Sequence, residues 1–244
     1  MINRFSGFLF LLLASFSAFS QSTEKRPATA RPDLPGTFTL EFGLNRGLDA
    51  PDNFDLGLFG SRTINLYYQY EFRILHSRFS FVPGIGLSLE RYKFRNNNIL
   101  TYPSENRDSV VLLTVAEHQL STLRKSQLIT NYVEVPLELR YTLNPDDPAR
   151  SFKISVGGRI GYMYDAFTKI KYKADGEAKQ IKDKQNFNLN RLRYGVSAKI
   201  GFGNFALFGY YNLSTLFEEG KGFHNMGQPV DFNTFTAGIS LSSF

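Results

Sequence analysis

Hydrophobic and polar residues alternate strictly along residues 131–141, which read Asn-Tyr-Val-Glu-Val-Pro-Leu-Glu-Leu-Arg-Tyr. In an extended strand this order places the valines and leucines on one face and the glutamates and the arginine on the other. A soluble, half-buried strand also alternates, but its polar face meets water and seldom carries a charge at nearly every position. An apolar face against lipid and an enclosed charged face explain the pattern better. The stretch is therefore typical of a strand in a membrane-spanning β-barrel.

The same two-residue period recurs along most of the chain. It predicts eight strands, near residues 37–44, 63–74, 79–92, 131–141, 152–165, 192–202, 205–213 and 235–244. Pro83 lies in the apolar phase of the third strand, where a bulge would accommodate it. The seventh strand is apolar in both phases, so the pattern leaves its two faces open.

The predicted connections alternate in length. The short ones lie near residues 75–78, 144–150 and 203–204, and the long ones near 46–60, 95–127, 173–186 and 214–233. A soluble barrel has no reason to keep this rhythm, and its polar and apolar faces would be inverted. The fold class predicted for residues 36–244 is all-β: an eight-stranded antiparallel up-and-down transmembrane β-barrel with short periplasmic turns and long extracellular loops.

The first residues predict export. Asn3 and Arg4 precede an apolar run at residues 8–13, and the small residues Ala18 and Ser20 stand before a cleavage position. These features predict a signal peptide over residues 1–20. A spanning helix would need about 20 continuous apolar residues, and serines interrupt this run. Residues 21–35 contain three prolines and almost no large apolar residue, which predicts a disordered periplasmic lead-in.

Composition narrows the class further. The chain has no cysteine and no tryptophan, but 24 phenylalanines and 13 tyrosines at a mean hydropathy of −0.24. The absence of cysteine excludes a disulfide scaffold. The net charge of +6 suggests an anionic partner, although scattered lysines often serve solubility alone. We expect no nucleic-acid partner for a barrel at the cell surface.

Three stretches together resemble a known family. They are residues 131–141, the glycine-containing Val156-Gly157-Gly158-Arg159-Ile160-Gly161, and the final Ala237-Gly238-Ile239-Ser240-Leu241. They are similar to the PorT-type outer-membrane β-barrel proteins of Bacteroidetes, and the similarity covers most of the chain after residue 35. It implies an eight-stranded barrel in the outer membrane, usually of undefined activity, with one branch that serves the secretion of other proteins. The chain departs at its end, where Phe244 is out of phase with the apolar residues of the last strand.

The inward phase of the first six strands carries charges of both signs. An eight-stranded barrel has an interior that its own side chains fill, and each unpaired charge there would cost several kcal/mol. We therefore predict an interior charge network. Its predicted members are Glu41, Glu71, Glu90, Glu134, Glu138, Arg140, Lys153, Arg159, Arg193 and Lys199.

Two features of the long connections are candidates for binding. Lysines cluster on and around the third long connection: Lys169, Lys171, Lys173, Lys179, Lys182 and Lys184. Lysines bind phosphates as point charges, so these residues are candidates for contact with lipopolysaccharide phosphates, and the alternative is a solvated loop. The apolar run at residues 109–115 either extends a hairpin above the membrane or docks a partner.

Catalysis has little support in the sequence. The histidines are His76, His118 and His224, and only His224 with Ser214 or His118 with Ser121 could form a serine–histidine pair. We assign no catalytic residue, metal or cofactor. The pattern favours a non-enzymatic outer-membrane barrel with a structural, assembly, secretion-accessory or surface-interaction role, whose partners are outer-membrane lipid and envelope or secretion proteins. The alternatives are a lipid-modifying enzyme acting from the extracellular loops and a small-solute channel.

Overall fold

Eight antiparallel strands close into a ring in the computed structural model, which describes residues 36–243 apart from 53, 104–108, 115–121, 175, 222 and 226–227. The strands are β1 (Thr37–Leu48), β2 (Arg62–Gln69), β3 (Phe79–Lys93), β4 (Leu123–Thr142), β5 (Phe152–Ala174), β6 (Leu192–Phe202), β7 (Phe205–Asn212) and β8 (Asn233–Ser242). Each strand pairs with its neighbours in the chain, and β8 also pairs with β1, which closes the ring. The predicted fold class is confirmed.

The outer wall of the ring is apolar. On β5, Phe152, Ile160 and Tyr162 point outward with 38%, 52% and 55% of their surface exposed, while Arg159 between them is 2% exposed. At about 3.3 Å per residue along strands tilted by about 40°, the rise from Phe152 to Tyr164 is about 30 Å. This height matches the hydrocarbon core of a bilayer. We call the outward-facing apolar residues between these two levels the apolar band.

The structure assigns the two faces of β7. Phe205 and Leu207 point outward with 48% and 54% exposure, whereas Phe208 and Tyr210 point inward and are 4% and 3% exposed. The inward rings lie against the guanidinium of Arg159, at 5.5 Å and 4.8 Å from its central carbon to the ring centroids. The inner face of β7 is thus aromatic because it packs against a buried cation.

Four strands differ clearly in length from the prediction. β1 continues to Leu48 instead of ending near residue 44. β4 begins at Leu123 and β5 continues to Ala174, well past the alternating stretches. Beyond the apolar band polar residues such as Lys125 and Lys169 share the outward face with a few apolar ones such as Phe167, so the alternation fades although the backbone pairing continues. β2 is shorter and ends at Gln69, with a separate pair at Phe72–Arg73. Pro83 lies opposite this break, where a missing N–H weakens the pairing.

One residue is inserted in β5 at the upper edge of the apolar band. Asn131 pairs with Asp165 and Tyr132 pairs with Met163, so Tyr164 has no partner on β4. This β-bulge increases the local twist of the strand. Above the bulge the alternation on β5 is shifted by one residue, so Asp165 and every second residue after it face outward.

The remaining short elements lie in the connections. Ile99–Thr101 pairs with Val111–Leu113, Glu177–Asp183 pairs with β5, His224–Asn225 pairs with Gln228–Pro229, and a 3₁₀ turn covers Pro148–Arg150. The apolar run near residue 110 therefore belongs to a hairpin, and Val110 and Leu112 are buried in it at 0% and 8% exposure. Within the described residues, no helix has the length and apolar character needed to cross a membrane.

The long connections fold inward over the ring and share one hydrophobic cluster. Its members are Phe54, Leu56, Tyr92, Phe94, Leu100, Val110, Leu112, Leu128, Tyr132, Met163, Phe187, Leu189, Leu216, Phe217, Phe223 and Phe232. Phe54 lies near its centre, with ring centroids 5.3 Å from Phe94 and 5.6 Å from Phe223. We call this set the loop cluster. It draws on all four long connections, so it ties them to one another and to the upper wall.

Candidate functional site

Charged side chains meet in the interior of the barrel, beginning at Glu41 of β1. Its carboxylate is 0% exposed and lies 3.1 Å from Arg159 Nη1 and 2.9 Å from Lys199 Nζ. Asn65 of β2 donates a further hydrogen bond to it at 2.8 Å. Three strands besides β1 thus supply the donors that compensate this buried carboxylate.

From Glu41 the contacts run toward the end that carries the short turns. Lys199 Nζ also lies 2.6 Å from Glu138 Oε1, so one ammonium joins two carboxylates. Glu138 accepts a hydrogen bond from Gln69 at 3.2 Å and lies 3.7 Å from Arg140 Nη2. Arg140 is 14% exposed and marks the limit of the buried part.

The contacts also run toward the end that carries the long connections. Arg159 donates to Tyr67 Oη at 3.2 Å, and Tyr67 donates to Glu134 Oε2 at 2.5 Å. The other oxygen of Glu134 lies 2.6 Å from Arg193 Nη2, and Arg193 Nη1 lies 2.6 Å from Glu90 Oε1. One chain of polar contacts therefore crosses most of the membrane-spanning height.

The charges in this chain balance. We call the set the interior network: Glu41, Glu90, Glu134, Glu138, Arg140, Arg159, Arg193 and Lys199. It holds four carboxylates and four basic groups, which is what a poorly hydrated interior requires. Aromatic rings cover the cations, because Arg193 lies 3.8 Å from the Tyr132 ring centroid and Arg159 lies 4.8 Å from that of Tyr210.

Two predicted members lie at the mouth of the barrel instead. Glu71 has a side chain that is 40% exposed and pairs with Arg140 at 2.8 Å, because β2 has ended before it. Lys153 lies near the start of β5 and donates to the carbonyl of Gly203 at 3.1 Å. Both residues lie at the mouth because they are close to the ends of strands. The alternation of residues does not show where a strand ends.

The sequence reasoning missed the uncharged members of the network. Asn65, Tyr67 and Gln69 follow one another on the inward phase of β2, and each is at most 2% exposed. All three donate to carboxylates of the interior network. A search for inward hydrogen-bond donors, rather than for charges, would have found them.

Five of the six predicted lysines lie on strands rather than in a loop. Lys169, Lys171 and Lys173 belong to β5, and Lys179 and Lys182 belong to the Glu177–Asp183 strand that pairs with it. Lys184 follows that strand and lies 3.5 Å from Asp165 Oδ1. Three of the six share the outer wall with basic residues of β2, β3 and β4. We call this set the basic wall: Arg62, Arg91, Lys93, Lys125, Lys169, Lys171 and Lys182.

Of the predicted pair Ser214 and His224, Ser214 follows β7 and His224 lies on the short strand that pairs with Gln228–Pro229. Ser214 is buried, and its Oγ accepts a hydrogen bond from the backbone N–H of Tyr194 at 3.3 Å. His76 is in an exposed turn with a φ of 56°. The other predicted pair, His118 and Ser121, lies outside the described residues. In the part of the chain that the structure describes, no group of three His, Asp or Glu side chains is arranged to hold a metal ion.

A closed ring with an apolar outer band and a paired, charged interior defines a transmembrane β-barrel, because closure satisfies every backbone edge within lipid. The model of the outer membrane protein beta-barrel domain family matches residues 19–218 of this chain. The chain belongs to that family and is an outer-membrane protein.

Comparison with solved structures gives distant similarities. Ail, the attachment invasion locus protein of Yersinia pestis, is 15% identical, with 85% of this chain and 97% of that chain covered and a TM-score of 0.35. The structure of Ail in complex with the heparin analogue sucrose octasulfate is also 15% identical, with 86% of this chain and 100% of that chain covered and a TM-score of 0.33. Neisserial surface protein A (NspA) is 12% identical, with 85% and 97% covered and a TM-score of 0.31. No curated protein sequence matches the chain.

Proposed function

We propose that this protein is a sealed, non-enzymatic outer-membrane barrel that serves surface interaction and assembly rather than conduction. The observation that carries the proposal is the filled interior. The interior network occupies the membrane-spanning part, and the loop cluster occupies the part above it.

The side chains that fill the barrel at the level of the membrane are held by buried polar contacts. Arg159 and Tyr67 are 2% and 0% exposed and join both halves of the interior network. A solute that passed this level would break the hydrogen bond between Arg159 and Tyr67 and disturb the ion pair between Arg159 and Glu41. An unpaired charge in such a site costs several kcal/mol. Phe217 and Phe232 close the next level at 1% and 2% exposure.

The sealed barrel carries a wall that rises beyond the apolar band. β4, β5 and the Glu177–Asp183 strand form its tallest side, and the loop cluster anchors the connections around it. Leu58 and Phe59 stand exposed at this end, at 40% and 79%. A rigid scaffold that presents strands and exposed apolar side chains is suited to contact with other envelope components.

The finer parts of the proposal rest on the sequence. The similarity of residues 131–141 supports a place in the PorT-type branch of Bacteroidetes barrels, and therefore a secretion-accessory role with envelope or secretion proteins as partners. The pattern of residues 1–20 supports export with cleavage after Ser20, followed by a periplasmic lead-in to residue 35. The long connections then face the cell exterior, as in other outer-membrane barrels.

Conductance across a planar bilayer tests the proposal. Because both levels of the interior are filled, purified protein should give no steady current, while an open porin in the same bilayer conducts. A stable ohmic conductance from the wild-type protein would support the channel alternative. Fatty-acid release from phospholipid by the wild type but not by Ser214→Ala would support the lipid-modifying alternative.

A further inference from the structure

The outer wall above the apolar band places like charges directly opposite one another. Three cross-strand pairs do so: Arg62 with Arg91, Lys125 with Lys171, and Lys169 with Lys182. Lys93 and Lys169 also flank Gln127 from its two sides. Like charges opposite each other destabilise an antiparallel sheet. The basic wall therefore has an electrostatic cost within the isolated protein.

Carboxylates of the described residues do not offset this charge. Two ion pairs of described residues lie at this end, Lys184 with Asp165 at 3.5 Å and Arg95 with Asp55 at 3.3 Å, and none of these four residues belongs to the basic wall. Within the described ranges, no member of the basic wall lies within 4.0 Å of a carboxylate oxygen. Lys125, which lies beyond the apolar band, has its pKa lowered by partial burial and then by the charges of Lys93 and Lys171.

The basic wall continues directly from the lipid-facing surface. On β3 the outward side chains run from Leu87 and Leu89 to Arg91, and on β5 they run from Phe167 to Lys169. A groove of about 360 Å³ lies at this transition. Its apolar side chains include Leu89, Ile129 and Phe167, and its basic ones are Arg91, Lys169 and Lys182.

We propose that the basic wall binds the phosphate groups of an outer-leaflet lipid whose acyl chains lie against the apolar band below it. Arginine offers paired donors to phosphate oxygens, and lysine offers a compact charge. The apolar side of the groove favours a phosphate that is attached to a lipid over a free anion. The proposal uses the outward orientation given above, but it does not depend on a sealed interior.

Binding of lipid A to the purified protein in neutral detergent tests the proposal by native mass spectrometry. The wild type should bind lipid A that carries two phosphates about tenfold or more tightly than the same lipid after removal of both phosphates. The triple variant Arg91→Gln, Lys169→Gln, Lys171→Gln should lose about tenfold or more of this affinity. The matched control removes three positive charges at the opposite end and should bind as the wild type does: Arg73→Gln, Arg78→Gln and Arg150→Gln.

Stability measured in lipid-free neutral detergent gives an independent arm. Because the triple variant removes repulsion, its unfolding temperature should equal or exceed that of the wild type, and added lipid A should raise the wild-type value more. If the triple variant does not fold, the single variant Arg91→Gln should show a several-fold loss of affinity. Equal binding of the two forms of lipid A would overturn the proposal, as would equal losses in the triple variant and its control. Inorganic pyrophosphate that binds as tightly as lipid A would make this a free-anion site instead.

Discussion

At the scale of single residues, the buried charges are coupled in a specific order. Arg159 has one ion-pair partner in the interior network, Glu41, whereas Lys199 has two, Glu41 and Glu138. Removing one charge therefore has different consequences from removing a matched pair. A single loss leaves a buried charge under-compensated, and a double loss at Arg159 and Glu41 leaves Lys199 with Glu138.

The variant Arg159→Met should lower the free energy of unfolding by about 3–5 kcal/mol, because it leaves Glu41 under-compensated in a dry interior. Urea unfolding in phospholipid vesicles, followed by tyrosine fluorescence, measures this loss. The double variant Arg159→Met, Glu41→Gln should lie closer to the wild type than the single variant does. Lys153→Met, at the half-buried mouth, is the control and should cost less. A double variant that loses the sum of both single losses would contradict the coupling.

At the scale of elements, β5 shows how closely the strands approach one another. Gly157 and Gly158 are adjacent, and they point to opposite faces of the wall. A Cβ at Gly157 would lie 2.1 Å from the carbonyl oxygen of Leu137 on β4, whereas at Gly158 the nearest atom would be 3.4 Å away. The backbone of β4 cannot yield without loss of its pairing, so the inward glycine is required by the approach of two strands.

Alanine at the two glycines should therefore have different effects. Gly157→Ala should reduce the fraction of protein that folds into vesicles and lower its resistance to urea, because the strands must separate locally. Gly158→Ala should stay close to the wild type, since its side chain would point to the lipid side and meet no atom closer than 3.4 Å. The mobility difference between unheated and heated samples on a detergent gel reports the folded fraction. Indistinguishable variants would contradict the close approach seen at residue 157.

At the scale of the whole molecule, the ring has two different ends. One end carries the short turns and the mouth with Glu71 and Lys153, and the other carries the loop cluster and the basic wall. Outer-membrane barrels commonly place short turns in the periplasm and long connections outside. By this rule the loop cluster and the basic wall face the cell exterior. The proposed surface interaction and the proposed binding of lipid phosphates both depend on this orientation.

Cysteine labelling on intact cells tests this orientation, because the chain contains no cysteine of its own. Gln180→Cys, on the exposed Glu177–Asp183 strand, should react with a membrane-impermeant maleimide. Asp146→Cys, whose native side chain is 86% exposed at the opposite end, should react only after the cells are broken. The reverse result would invert the topology and remove the basic wall from the outer leaflet.

The class of fold can be predicted from the alternation of residues along the chain, because alternation is a local property. A strand exposes successive side chains to two different environments. The faces that Phe152 and Arg159 occupy can therefore be predicted without knowledge of any partner strand. The same logic gives the inward phase of the charged side chains, but not that Glu71 and Lys153 lie at the mouth of the barrel. It could not assign β7, where Leu207 meets lipid and Phe208 meets a buried cation, since both environments accept apolar side chains.

Which side chains contact one another depends on the tertiary structure. Glu41 and Arg159 are 118 positions apart, and their contact depends on ring closure and strand register. Register also gathers Arg62, Arg91 and Lys169 on one wall, although they lie on three strands. Alternation states which face a side chain occupies, but not its height on the barrel or its neighbours. Those depend on the register of the hydrogen bonds between strands that are distant in the chain, which no single strand contains.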